Sequence, residues 1–139
     1  MLDKHTKNQI TASVEFHFKG EKIVACIDLD LDLIMQSNLE FPDLYPLLAH
    51  TIDLDVYSYE YEMLQAGEIK FSEAKGSAAD FLRAKVFEID AFKHSWRENE
   101  KLQKVSDIAE RHMNIRDLNR EPKLKAALLE AYAQGEALL

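Results

Sequence analysis

One cysteine, four glycines and three prolines in 139 residues are small holdings, and each shortage narrows what the chain can be. A lone Cys26 leaves no intramolecular disulfide and no thiolate pair for a zinc site. With so few glycines there is little material for phosphate-cradling loops, and neither a Walker nor a dinucleotide-binding glycine pattern occurs. The serines lie outside any Gly-x-Ser-x-Gly elbow. No apolar run approaches the ~20 residues of a membrane helix. The opening Met1-Leu2-Asp3-Lys4-His5-Thr6 has no apolar segment behind it, so no secretory signal is expected. These absences point to a reducing, cytoplasmic compartment and away from a membrane.

Basic charge is also scarce. Seventeen Lys and Arg face 25 Asp and Glu, for a formal net charge of −8. Such a surface repels phosphate backbones and anionic lipid, so nucleic acid is not an expected partner. The basic stretch from Lys93 to Lys104 is interrupted by Glu98 and Glu100 and reads as a solvated helix face. What is present is a composition that is 47% hydrophobic and 30% charged, enough for a core with a soluble exterior. One domain over residues 1–139 is expected, with a loose polar lead-in at about 1–10.

The pattern predicts an α+β fold: an N-terminal antiparallel β-hairpin, about 12–31, packed on a mostly helical remainder of about five helices. Val14, Phe16 and Phe18 alternate with polar residues, and Ile23, Ala25, Ile27, Leu29 and Leu31 resume the alternation after a turn at either Gly20-Glu21 or Lys19-Gly20. The opposite face carries Glu15, His17, Cys26, Asp28 and Asp30. Asp43 is expected to cap a helix with Pro46 in its first turn. The segment 56–65 fits both periods. A helix is expected there, capped by Asp55, because Glu60, Glu62, Met63, Leu64 and Gln65 are helix formers. Ser72 is expected to cap a further helix containing Ala74, Ala78, Phe81 and Leu82. The longest helix is predicted from about Ala91 to Met113, capped by Asp90, with Phe92, Trp96, Val105, Ile108, Ala109 and Met113 as its buried stripe. A last helix starts at Pro122.

Asp28, Asp30 and Asp32 form the most suggestive run. On a continuous strand three carboxylates two residues apart share a face, and oxygen ligands of this kind suit Mg²⁺ or Mn²⁺. The run resembles the paired aspartates of haloacid-dehalogenase-type phosphatases, but the loop that follows them in that family is missing. The plainer expectation is that Asp28 and Asp30 decorate a wet strand face and Asp32 caps the next turn. Pro42-Asp43 followed by Glu68-Ile69-Lys70 resembles the signature of metal-dependent restriction-type nucleases. His5, His17, His50, His94 and His112 show no metal-ligand spacing. Cys26 is expected to behave as a small packing residue.

Tyr57, Tyr59 and Tyr61 cannot all face one side of a helix, so at least one is expected at the surface as a binding residue. The leading expectation is a non-enzymatic protein–protein interaction module whose partner is another protein or a second copy. Pairing at the hairpin edge would give a four-stranded sheet in a homodimer. The alternative is a divalent-metal-dependent hydrolase using Asp28, Asp30 and Asp32, with Glu68 and Lys70 as helpers.

Overall fold

A computed structural model describes residues 7–37 and 40–137. The architecture is α+β. Backbone contacts divide the chain into two compact units, Met1–Phe92 and Lys93–Leu139.

The first unit is built on strands β1 (Gln9–Phe18) and β2 (Glu21–Asp30), joined by Lys19 and Gly20. Both loop residues have positive φ, 53° and 80°, which makes the turn type I′ and sets Phe18 opposite Glu21, Phe16 opposite Ile23 and Val14 opposite Ala25. Of the two turns that the hydrophobic pattern allowed, the Lys19-Gly20 one is formed. Strand pairing reaches into the segment read as a polar lead-in: β1 begins at Gln9 and Ile10 is 0% exposed. Residues 1–6 of that segment lie outside the described residues.

A third strand, β3 (Lys70–Lys75), pairs antiparallel with β1, giving the order β2-β1-β3. This corrects the helix expected after Ser72. Thr11 and Ser13 of β1 need backbone partners on their outer side, and Ser72 and Lys70 supply them, while Phe71 turns inward opposite Ala12. The ladder shifts between Gln9 and Thr11, where Glu73 takes φ 51° as a bulge. Gly76, at φ 72°, then turns the chain into a 3₁₀ segment, Gly76–Phe81. A small hairpin of β4 (Leu82–Arg83) and β5 (Val86–Phe87) follows.

Helices α1 (Leu31–Gln36), α2 (Leu44–Thr51) and α3 (Tyr59–Gln65) pack on the apolar face of the sheet. Asp43 caps α2 by accepting from the Tyr45 N–H at 3.1 Å, with Pro46 in the first turn as expected. The segment 56–65 is helical only from Tyr59, and its cap is Ser58 rather than Asp55. Ser58 Oγ accepts from the Tyr61 N–H at 3.2 Å, and Asp55 instead closes a turn by accepting from the Tyr57 N–H at 2.9 Å. Beyond β3, Phe71, Phe87, Phe92 and Phe81 form a chain of ring contacts, with successive centroids 5.6, 5.4 and 5.9 Å apart.

Helix α4 (Ile89–Met113) begins before Asp90, which therefore sits in its first turn instead of capping it. In the second unit α4 is followed by a 3₁₀ turn at Leu118–Arg120 and by α5 (Pro122–Ala137). Asn114, at φ 57°, ends α4, and the Ile115 N–H returns to the Ala109 carbonyl at 3.3 Å. Val105, Ala109 and Leu118 form the buried centre of this unit, flanked by Leu102, Leu128 and Tyr132 among others. Ile108 and Met113, expected in the buried stripe, are exposed. Residue 108 lies about 100° around the helix from Ala109, which carries it off the narrow face that one partner helix can cover. Among the described residues there are five α-helices and two short 3₁₀ turns; α1 is additional to the helices expected, and β3 stands in place of the one expected after Ser72.

Asn8 ties the first unit together. Its backbone N–H and its side-chain amide donate to the two carboxylate oxygens of Asp32, both at 2.9 Å. Its side-chain oxygen accepts from Ser77 Oγ at 3.0 Å and from the Ala78 N–H at 3.1 Å, and its carbonyl accepts from the Leu31 N–H at 3.0 Å. Asn8→Ala keeps the backbone N–H bond to Asp32 but removes the side-chain bond to that charged acceptor, and it leaves Ala78 N–H, on a fully buried residue, without its acceptor. It should destabilise the fold by about 2–4 kcal/mol in urea titrations. A loss no larger than that of an exposed Asn119→Ala control would overturn this role.

The β4–β5 turn carries strain of a removable kind. Ala84 and Lys85 have φ values of 49° and 66° without a glycine between them, a conformation costing about 1 kcal/mol per residue. The Lys85 carbonyl accepts from the Phe71 N–H at 2.9 Å, which holds the turn in place. Replacing the pair by an asparagine followed by a glycine (A84N/K85G) should raise the melting temperature by about 3–5 °C. No rise would mean that the left-handed turn is not populated.

Candidate functional site

The three aspartates do not share a strand face. Strand β2 ends at Asp30, and Asp32 lies on α1. The run Leu29-Asp30-Leu31 supplies an apolar residue on each side of a helix-capping carboxylate, and the chain turns into α1 there rather than continuing extended. Each carboxylate has its own task. Asp28 Oδ1 accepts from Thr11 Oγ1 at 2.6 Å, across the strand pair. Asp30 Oδ1 accepts from the Leu33 N–H at 3.1 Å and caps α1. Asp32 holds Asn8. The capping role expected of Asp32 thus belongs to Asp30. Asp30 and Asp32 border a shallow cavity of about 310 Å³ together with Lys7, Leu33 and Gln36, and Asp28 lies outside it. Among the described residues no group of three or more His, Cys, Asp or Glu side chains lies where it could hold a metal ion.

Glu68 and Lys70 line a second cavity, also about 310 Å³, with Glu15, Ser13, Val24 and Lys85. Asp43, the third member of the nuclease-like pattern, caps α2 and is not part of this cavity. Lys22 donates to Glu15 at 2.8 Å, and that bond holds the Glu15 carboxyl below its ordinary range. Cys26, expected to pack, is exposed on the outer face of β2.

The tyrosines separate clearly. Tyr61 is 8% exposed and packs in the core, where burial, and then the Asp43 charge, push its hydroxyl above the ordinary range. Tyr57 is 93% exposed and Tyr59 65% exposed, with Val56 also at the surface. Tyr59 leans toward Phe18 at the hairpin tip, ring centroids 6.2 Å apart. Residues 53–62 contain Asp53, Asp55, Glu60 and Glu62 and no Lys or Arg, while Lys19 Nζ lies 5.4 Å over the Phe18 ring that Tyr59 approaches. The period of the segment could have separated Tyr57 from Tyr61 only once the helix start at Ser58 was known.

Strand β2 is an edge of the sheet. In a two-residue hairpin that pairs Phe18 with Glu21, the backbone groups of residues 21, 23, 25, 27 and 29 turn toward β1. Those of Lys22, Val24, Cys26 and Asp28 turn outward. Among the described residues no backbone hydrogen bond reaches this outer side.

No protein-family model, curated protein or solved structure matches the chain. Among the described residues no helix is long and apolar enough to cross a membrane.

With its carboxylates bonded to Thr11, Leu33 and Asn8, EDTA-stripped protein should melt within about 1 °C of the same temperature with and without millimolar Mg²⁺ or Mn²⁺. A bound ion at a hundred times its dissociation constant would add about 2.7 kcal/mol. A metal-dependent rise that Asp30→Asn abolishes would reinstate the metal site.

Proposed function

We propose that the chain acts as a protein-interaction module, without a catalytic role, and that its partner presents a cationic segment to Tyr57 and Tyr59. The observation that carries this reading is the exposure of Tyr57, at 93%, beside a second ring that is 65% exposed. A folded domain has no packing use for such a ring, whereas tyrosine supplies rigid contact area with a polar tip at interfaces. The acidic residues of the same segment, Asp53, Asp55, Glu60 and Glu62, favour lysine or arginine on the partner, and an aromatic face attracts the same cations, as Lys19 over Phe18 illustrates within the chain. The metal-dependent hydrolase has no comparable support, since its three carboxylates each serve a different structural contact.

A fluorescently labelled Arg-Gly repeat peptide and its Glu-Gly counterpart provide the test, titrated by anisotropy at low salt. The Arg peptide should bind at least about tenfold more tightly than the Glu peptide, and Tyr57→Ala/Tyr59→Ala should weaken it at least about tenfold. The variant's melting curve should stay near that of the native chain, because both side chains lie outside the core. Equal binding by the double variant would sink the proposal.

A further inference from the structure

We infer that the chain self-associates through the free edge of β2, which pairs antiparallel with β2 of a second copy across a two-fold axis at Ala25. The inference does not rest on Tyr57 and Tyr59, and different variants test the two surfaces.

The outward backbone groups of Lys22, Val24, Cys26 and Asp28 form a ready ladder, and an edge of this length is a template for another strand. A two-fold pairing must match residue i with j and j with i, so only a few registers bring outward groups face to face. Centred on Ala25, the register sets Lys22 opposite Asp28 of the second copy, Val24 opposite Cys26, and the reverse. Both ends then pair opposite charges, and the middle pairs two exposed small apolar side chains. On the inner face the half-buried Ile23 meets Ile27 of the second copy. Centring on Val24 leaves Asp28 opposite the Gly20 turn, and centring on Cys26 puts Val24 against Asp28. Neither alternative satisfies both the charges and the apolar pair.

Lys22 also donates to Glu15 at 2.8 Å on its own chain. An ammonium has three protons to share, so the same group reaches a second carboxylate across the axis. Asp28 likewise keeps Oδ1 on Thr11 and has Oδ2 for Lys22 of the second copy. The two three-stranded sheets become one continuous sheet, larger than the hairpin-only sheet that the sequence suggests, because β3 extends each half.

Sedimentation and cysteine cross-linking decide the matter. The native chain should sediment at twice its 16.0 kDa. Lys22→Glu and Asp28→Lys should each weaken the dimer about tenfold or more, and the double exchange K22E/D28K should restore it. Thermal melts of each variant separate lost folding from lost pairing. Under mild oxidation Val24→Cys should form a covalent dimer that reducing agent dissolves, whereas the native chain and V24C/C26S should not. A monomer at all concentrations, no recovery in K22E/D28K, or equal cross-linking of V24C/C26S would overturn the pairing.

Discussion

Asp32 grips Asn8 through both carboxylate oxygens, and most of the first unit hangs from that grip. Asn8 stands immediately before β1, Asp32 lies on α1, and the other side of the Asn8 amide reaches Ser77 and Ala78 in the 3₁₀ segment. Three elements far apart in sequence are thereby set to within hydrogen-bond tolerance. Gly76 shows how tight the fit is, since a Cβ there would come within 2.6 Å of the Asn8 side-chain oxygen. Anchoring Asn8 also sets where β1 begins. That in turn brings Thr11 and Ser13 opposite Ser72 and Lys70 and gives β3 its place. A carboxylate that looked like a metal ligand is an acceptor for the chain's own amides.

The parts of the fold legible in the sequence are those dictated by local physics. Alternation from Val14 to Phe18 and from Ile23 to Leu31 marks the hairpin because one face must be apolar whatever it packs on. Asp43 ahead of Pro46 marks the start of α2 because both residues suit a first turn. The errors fall where a distant partner decides. Lys70–Lys75 has small and helix-tolerant residues, and it is a strand only because β1 offers an unpaired side. The three aspartates share a face only on an uninterrupted strand, and the strand ends at Asp30, which caps α1. Of the candidate site, the presence of an exposed tyrosine was legible, and the choice between Tyr57, Tyr59 and Tyr61 was not. That choice depends on whether Asp55 or Ser58 starts α3.

The two edges of the sheet are treated differently, and this asymmetry bears on how the protein meets others. On the β3 side the Phe71 N–H is taken by the Lys85 carbonyl, the bulge at Glu73 bends the strand, and the β4–β5 hairpin stands alongside. These are the devices by which folds blunt an edge against unwanted pairing. The β4–β5 turn even accepts two left-handed non-glycine residues to deliver that carbonyl. On the β2 side there is no bulge, no proline and no backbone bond among the described residues. Lys22 and Asp28, two of the four charged residues of that strand, sit at equal distances from Ala25, so they repel most foreign registers while complementing their own image. An edge protected only by charges that attract a second copy is open in one direction alone.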